Sequence, residues 1–405
     1  MGVEEALNGL LDSLSPVPPV LVPLDDALGL VLAQPLISDE IHPADDMSAM
    51  DGYAVAASAL DGASRDQPVR LAIVEDVRAG FPPEKALQAG QCSRISTGAL
   101  LPVGADAVEM REYVEVQGDH VVFSRPLPKS SNVRFAGEHL RVGDPVLPAW
   151  KVLGSADLGM AAYLGQAELA CHPRLPVAVL ATGSELVEGG SALARGQIRD
   201  SNGVALSAAV RELGCSVVQR ERVADDPDAL DQAIARASGQ ARVLLTSGGI
   251  SAGWHDLVRE RIEGSGGTFH FHKLRMRPGK PIAFGRLGEM WVFCLPGNPV
   301  SSLVTFEVFV KPALLKLMGR DWQSPTVPAV LAEPLTKKRG FTVFFRVHLQ
   351  AEADGTLTAR LSGPQDSHQL KSLVQANGLL VAGEETENLP AGSVVSVRRL
   401  APRLR

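Results

Sequence analysis

The chain is 405 residues long, 45% hydrophobic and 21% charged, which are ordinary globular values with material for two to four domains. A formal net charge of -7 and a pI near 5.8 exclude a general nucleic-acid binder, so any anion site must be a local basic cluster in an acidic field. Four scattered cysteines without a CxxC pair fit neither a zinc site nor a disulfide framework and read as buried thiols in a reducing compartment.

The N-terminus, MGVEEALNGLLDSL, carries early acids and a short amphipathic pattern, without the basic start and long apolar stretch of a signal peptide. Nowhere do about 18 apolar residues run uninterrupted, so the expectation is a cytoplasmic chain with no membrane and no nucleic-acid partner. Up to about residue 170, short apolar runs at 53–55, 70–74, 107–110, 113–116 and 120–123 are separated by Gly, Pro and Asp. That pattern predicts a β-rich region of hairpins or a small barrel.

From Arg174 the texture becomes regular. A short apolar run at 175–180 precedes the loop Ala181-Thr182-Gly183-Ser184-Glu185. Leu206, Ala209, Val210 and Leu213 then stand at helical spacing, with Asn202 as a candidate N-cap and Gly214 as a stop. A strand near 215–223 leads to Asp225-Asp226-Pro227, where Asp226 is a natural N-cap and proline opens the next helix. A strand at 242–246 ends in Ser247-Gly248-Gly249. Strand, loop and helix at this rhythm predict a parallel sheet covered on both faces, with ligands at the loops beyond the strands' carboxyl ends. A helix over 300–318 joins this part to a tail of strands at 341–349, 357–361, 378–382 and 394–397.

Three features carry chemistry. The loop TSGGISAG (246–253) is rich in glycine and hydroxyls, which suits a phosphate cradle. Glu185, Asp225 or Asp226, and Asp256 follow successive strands, and carboxylates beside phosphates call for a hard cation such as Mg²⁺. The turn MRPGKP (276–281) flanks Pro-Gly with Arg277 and Lys280. Two like charges some 4 Å apart cost roughly 4 kcal/mol at an effective dielectric of about 20, and a dianion between them reverses the sign. The turn LPGNPVS (295–301) places Ser301 near a helix N-terminus, another favourable place for an oxyanion.

Assembled in order, SAMDGYAV (48–55), RISTGA (94–99), NVRFAGEHL (132–140), ATGSEL (181–186), QIRDSN (197–202), TSGGISAGWHD (246–256), MRPGKPIAFG (276–285) and CLPGNPVSS (294–302) resemble the MoeA/gephyrin family of molybdopterin molybdenumtransferases over nearly the whole chain. The resemblance implies an elongated multidomain α/β plus β chain. Its parts would be an N-terminal and linker domain (1–44 and 146–172), an inserted β-rich domain (45–145), a three-layer αβα molybdopterin-binding domain (173–322) and a C-terminal β-barrel-like domain (323–405). It implies insertion of molybdenum from molybdate into adenylylated molybdopterin with Mg²⁺ and release of AMP. The alternatives are the sibling molybdopterin adenylyltransferase reaction and a non-catalytic scaffold like gephyrin.

By motif position, the resemblance implies catalytic roles for Asp51, Glu185, Asp226, Asp256 and Lys273, with Glu185, Asp226 and Asp256 holding the metal. Molybdate would meet Arg277, Lys280, Ser301, Arg346 and Ser367. The remaining substrate contacts would come from Thr97, Arg134, Gly183, Ser184, Asp200, Ser247, Gly248, Gly249, Pro296 and Pro299. Implied partners are a second copy in a homodimer, across which Asp51 and Thr97 would reach, and the molybdopterin adenylyltransferase. Two positions depart from the family pattern: Arg277 replaces the usual first lysine, and His139 replaces the acid of a GED motif.

Overall fold

The computed structural model describes residues 1–249, 257–323 and 326–400. The chain divides into two compact units, one of residues 34–149 and 156–167, the other of residues 1–33, 150–155 and 168–405. In the first, a six-stranded sheet runs in the order Ala107–Met110, Gly52–Val55, Gln91–Ile95, Val69–Val77, His120–Phe123, Val114–Gln117. Its alternation is that of a sheet with two covered faces: Tyr53 and Val55 enter one core with Leu71 and Phe123, while Ala54 enters another with Ile95 and Val108. The sheet stays open, with Ala107–Met110 and Val114–Gln117 at its edges.

The second unit holds the αβ region and the C-terminal strands together. Its six-stranded sheet runs Ser216–Val223, Pro176–Thr182, Val243–Ser247, Met290–Leu295, Ala283–Leu287, Thr268–His272. The first four strands are parallel, and Ala283–Leu287 runs antiparallel to both its neighbours, Met290–Leu295 and Thr268–His272, where the sequence pattern predicted a parallel sheet. The antiparallel pair follows from the two-residue link between Leu287 and Met290, too short for a crossover. The central strands Pro176–Thr182, Val243–Ser247 and Met290–Leu295 are almost wholly buried, as a sheet covered on both faces requires. Val177 and Val179 face a core with helices Val3–Asp12 and Asn202–Glu212, and Ala178 and Leu180 face another with Pro227–Ser238 and Leu257–Gly264. The result is a three-layer αβα arrangement.

The predicted helix over 300–318 is realised as Pro299–Thr305, a wide i→i+5 stretch at Phe306–Val310, and Lys311–Leu317. Beyond it, Thr342–Ala351, Leu357–Leu361, Thr326–Leu331, Val394–Arg399 and Gly378–Ala382 pair in that order, and the last pairs again with the first. This closes a five-stranded barrel and removes its free edges. The short strand Met276–Arg277 pairs in parallel with Thr342 and Val343, so the cation-bearing turn is hydrogen-bonded directly to the barrel.

Candidate functional site

Four strands, ending at Thr182, Val223, Ser247 and Leu295, deliver their loops to one rim of the αβ sheet. Two clefts adjoin on this rim and share Pro281 and Asn298 in their walls.

The first cleft, of about 520 Å³, lies between the 276–281 turn and the barrel. Among the described residues, Arg277, Lys280, Lys337, Lys338 and Arg346 line it, against a single carboxylate, Asp366. The Arg277 guanidinium stands 4.6 Å over the Phe341 ring, which holds its planar fork at the cleft. Gly279 permits the turn twice over: its φ is +107°, and a Cβ there would meet Thr305 Cγ2 at 2.4 Å. Arg346 is almost fully buried, and that burial pushes its pKa down to about 10. Its Nε donates to Ser372 Oγ at 3.1 Å, and its Nη2 to the carbonyls of Pro364 and Asp366 at 3.0 and 3.2 Å. Arg346 thereby braces the loop that carries Ser367. From the other side, Asn298 Nδ2 donates to Ser367 Oγ at 3.0 Å, and the Val300 amide donates to the Ser367 carbonyl at 3.1 Å.

The second cleft, of about 840 Å³, is floored by the strand-end loops. Among the described residues that line it, three are acids, Glu185, Asp200 and Asp225, and one is a strong cation, Arg199. A Cβ on Gly183 would lie 2.6 Å from Glu185 Oε2, so the bare backbone lets that carboxylate fold over the loop. At Gly248, with φ +99°, a Cβ would lie 2.3 Å from the Thr182 carbonyl oxygen, which locks two neighbouring loops together. Asp225 Oδ2 accepts from the Ser184 amide at 3.2 Å, and its own amide donates to Ser184 Oγ at 3.1 Å. Asp200 is buried; its Oδ1 accepts from the Gly203 amide at 2.7 Å, while its Oδ2 has no partner among the described residues. Buried carboxylate oxygens are normally satisfied, and a bound cation or donor is what such an atom lacks.

The sequence-derived candidates fall as follows. Arg277, Lys280, Ser301, Arg346 and Ser367 come together in the first cleft. Gly183, Glu185, Asp200, Ser247, Gly248, Gly249, Pro296 and Pro299 come together in the second. Asp256 lies outside the described residues. Asp51, Thr97 and Arg134 belong to the other unit. There, Asp51 Oδ1 accepts from the Thr97 amide at 2.8 Å, which holds its carboxyl below the ordinary aspartate range.

Five expectations differ from the geometry. Ser184 lines neither cleft and is instead bonded to Asp225. Asp226 is not in the cleft wall, because its carboxylate caps a helix by accepting from the Ala229 amide at 2.8 Å; Asp225 takes the place beside Ser184. Asn202 is not an N-cap: its amide donates to Ser247 Oγ at 2.8 Å and to the Gly297 carbonyl at 2.7 Å, tying three loops. Lys273, at φ +61°, lines neither cleft. The hydrogen bonds of Arg346 go to the protein, so it supports the cleft rather than standing free within it.

Sequence reasoning also missed Lys337, Lys338 and Phe341, which reach the cleft only because the barrel closes beside the turn. Family models match consecutive stretches of the chain: the MoeA N-terminal region (domains I and II) over residues 1–165, a probable molybdopterin binding domain over 178–316, and the MoeA C-terminal region (domain IV) over 328–400. A molybdopterin molybdenumtransferase of Mycobacterium tuberculosis is 39% identical over 94% of each chain, and that of Haemophilus influenzae 35% identical over 98% of this chain and 97% of its own. The chain belongs to the molybdopterin molybdenumtransferase (MoeA) family.

The fold agrees with this membership. A crystal structure of the molybdopterin biosynthesis MoeA protein of Pyrococcus horikoshii, 31% identical, superposes with a TM-score of 0.83 over 98% of both chains. Among the described residues, no helix is long and apolar enough to cross a membrane. No three His, Cys, Asp or Glu residues among them stand close enough together to hold a metal.

Proposed function

We propose that this chain inserts molybdenum from molybdate into adenylylated molybdopterin and releases AMP. The observation that carries this reading is the abutment of a cation-lined cleft on an acidic, glycine-floored one, with Pro281 and Asn298 common to both. Molybdate is a dianion, and the thiolates it must join are also anionic. Fixed cations offset that repulsion and stabilise charge where it gathers, while holding both partners in adjoining clefts replaces an encounter by position. In this role Arg277 and Lys280 meet the oxyanion directly, Ser301 and Ser367 complete its polar surroundings, and Arg346 fixes the Ser367 loop.

The acidic cleft takes the pyrophosphate end. Its glycine loops offer backbone amides, and Glu185 with Asp225 would hold Mg²⁺, a hard cation bound by one or two carboxylates with phosphate and water supplying the rest. The donor chemistry suits a hard cation: Glu185 and Asp225 offer carboxylate oxygens, and Asp200 Oδ2 in the same cleft has no partner among the described residues. When bound, the ion would neutralise phosphate charge; the chain's own part is to hold the two carboxylates through the Ser184–Asp225 bonds and the Gly183 turn. The working form in this reading is a homodimer in the cytoplasm, with Asp51 and Thr97 serving the second copy's site and the molybdopterin adenylyltransferase as the supplier.

The relatives that match end to end carry the molybdenumtransferase name, which favours insertion over adenylylation or a scaffold role. The test is to incubate the chain with adenylylated molybdopterin and Mg²⁺, and to follow AMP. Release that rises with molybdate supports the reading. Release that ignores molybdate, or formation of adenylylated molybdopterin and pyrophosphate from molybdopterin and ATP in its place, overturns it.

A further inference from the structure

The barrel turn that closes over the cation cleft carries two consecutive lysines with opposite circumstances. Lys337 is partly buried, and its Nζ donates to the Phe341 carbonyl at 2.9 Å, with the Lys338 and Glu384 carbonyls at 3.4 and 3.5 Å. Its ammonium is spent on folding the turn. Lys338 is exposed and lines the cleft, and among the described residues its ammonium has neither a hydrogen bond nor an ion pair. The same turn presents Phe341, on which Arg277 stacks. The position of Lys338 is therefore fixed by the turn while its charge is left unspent.

Its surroundings make that charge useful. Glu384, Glu385 and Glu387 act on Lys337 from the neighbouring strand end, Asp366 lines the same cleft, and the whole chain carries -7. A dianion approaching this net-acidic chain meets long-range repulsion before it reaches Arg277 and Lys280, even though Glu384 and Glu387 are paired with Arg275 and Arg339. A cation at the mouth lowers that barrier and raises the local anion concentration, an effect that salt screens.

We propose that Lys338 is a further substrate-binding residue of this site, an entry cation that captures the tetrahedral oxyanion and passes it to Arg277 and Lys280. The inference rests on the molybdate reading of the cleft and adds to it a residue supplied by the barrel. Lys338 takes no part in bond making. Its contribution appears in the half-saturation by molybdate, and in how that value depends on ionic strength, while the maximal rate at saturating molybdate stays near that of the parent.

The experiment measures molybdate half-saturation of AMP release across a salt series for the parent chain, Lys338→Ala, Lys338→Glu and Lys338→Arg, with Lys280→Ala as the reference for the cleft itself. Equilibrium dialysis of molybdate against each variant gives a readout independent of turnover, and thermal melts check that each is folded. Expected for Lys338→Ala is a rise of roughly threefold to tenfold at low salt, larger for Lys338→Glu, near-parent behaviour for Lys338→Arg, and a flattened salt dependence. If Lys280→Ala weakens molybdate but all three Lys338 variants match the parent, the entry role is overturned and the cleft assignment stands. If neither position matters to molybdate, both fall together.

Discussion

Gly279 sits directly against Thr305: a Cβ at that glycine would lie 2.4 Å from Thr305 Cγ2 and 3.0 Å from Met276 Cε. The cation-bearing turn is thus pressed onto the helix that begins at Pro299, and Thr305 has no freedom to retreat because its Oγ1 donates to the carbonyls of Ser301 and Ser302 at 2.9 Å. Gly279→Ala adds both the clash and an unfavourable φ, and is expected to cost about 1–3 kcal/mol of stability. Because Arg277 and Lys280 flank the strained residue, half-saturation by molybdate should rise in the same variant. Chemical denaturation and AMP-release kinetics on one preparation check both.

The adjacent acids Asp225 and Asp226 should separate cleanly. Asp225→Asn removes a carboxylate from the acidic cleft and should slow AMP release and weaken its Mg²⁺ dependence. Asp226→Ala removes only a helix cap, so it should lower stability by about 1 kcal/mol and leave the Mg²⁺ titration of the surviving fold unchanged. The reverse pattern would return the metal role to Asp226.

Arg346→Lys keeps a charge but loses the fork that reaches Ser372, Pro364 and Asp366 together. It should cost about 2–3 kcal/mol, since buried carbonyls lose charge-assisted donors. Molybdate half-saturation should worsen as the Ser367 loop loosens. An unchanged melting temperature combined with poor molybdate binding would mean that Arg346 acts on the anion directly instead.

Burial pushes the thiols of Cys92 and Cys215 up to about 12, and raises that of Cys171 as well. Reactivity belongs to the thiolate, which is scarce until the pH approaches the thiol's pKa. All four cysteines are buried thiols outside any disulfide, so a disulfide reagent at pH 8 should label none in the native chain and four after unfolding. Rapid labelling of a native thiol would contradict the packing.

Much of the fold was legible because its signals are local. The apolar run at 175–180 reports a strand buried on both faces, the spacing of Leu206, Val210 and Leu213 reports which helix face is covered, and Asp226-Pro227 announces a helix start. What the sequence did not reveal depends on distant pairing. The closure of the barrel through Val343 and Ala382, and the attachment of Met276 to Thr342, join segments with no shared local pattern. Lys337, Lys338 and Phe341 were therefore invisible as cleft residues. Asn202 was misread for a related reason: Asn before a helix is a common cap, and only the folded loops bring Ser247 and Gly297 within reach of its amide. The choice between Asp225 and Asp226 needed one hydrogen bond that spacing does not encode.

Whether the cation cleft is the oxyanion's seat is tested most directly by soaking crystals of the chain in molybdate and locating molybdenum by its anomalous scattering. The expected result is one dominant peak within reach of Arg277, Lys280 and Ser367, absent from crystals of Lys280→Ala. A molybdenum peak elsewhere, or an empty cleft at molybdate concentrations that saturate turnover, would contradict it.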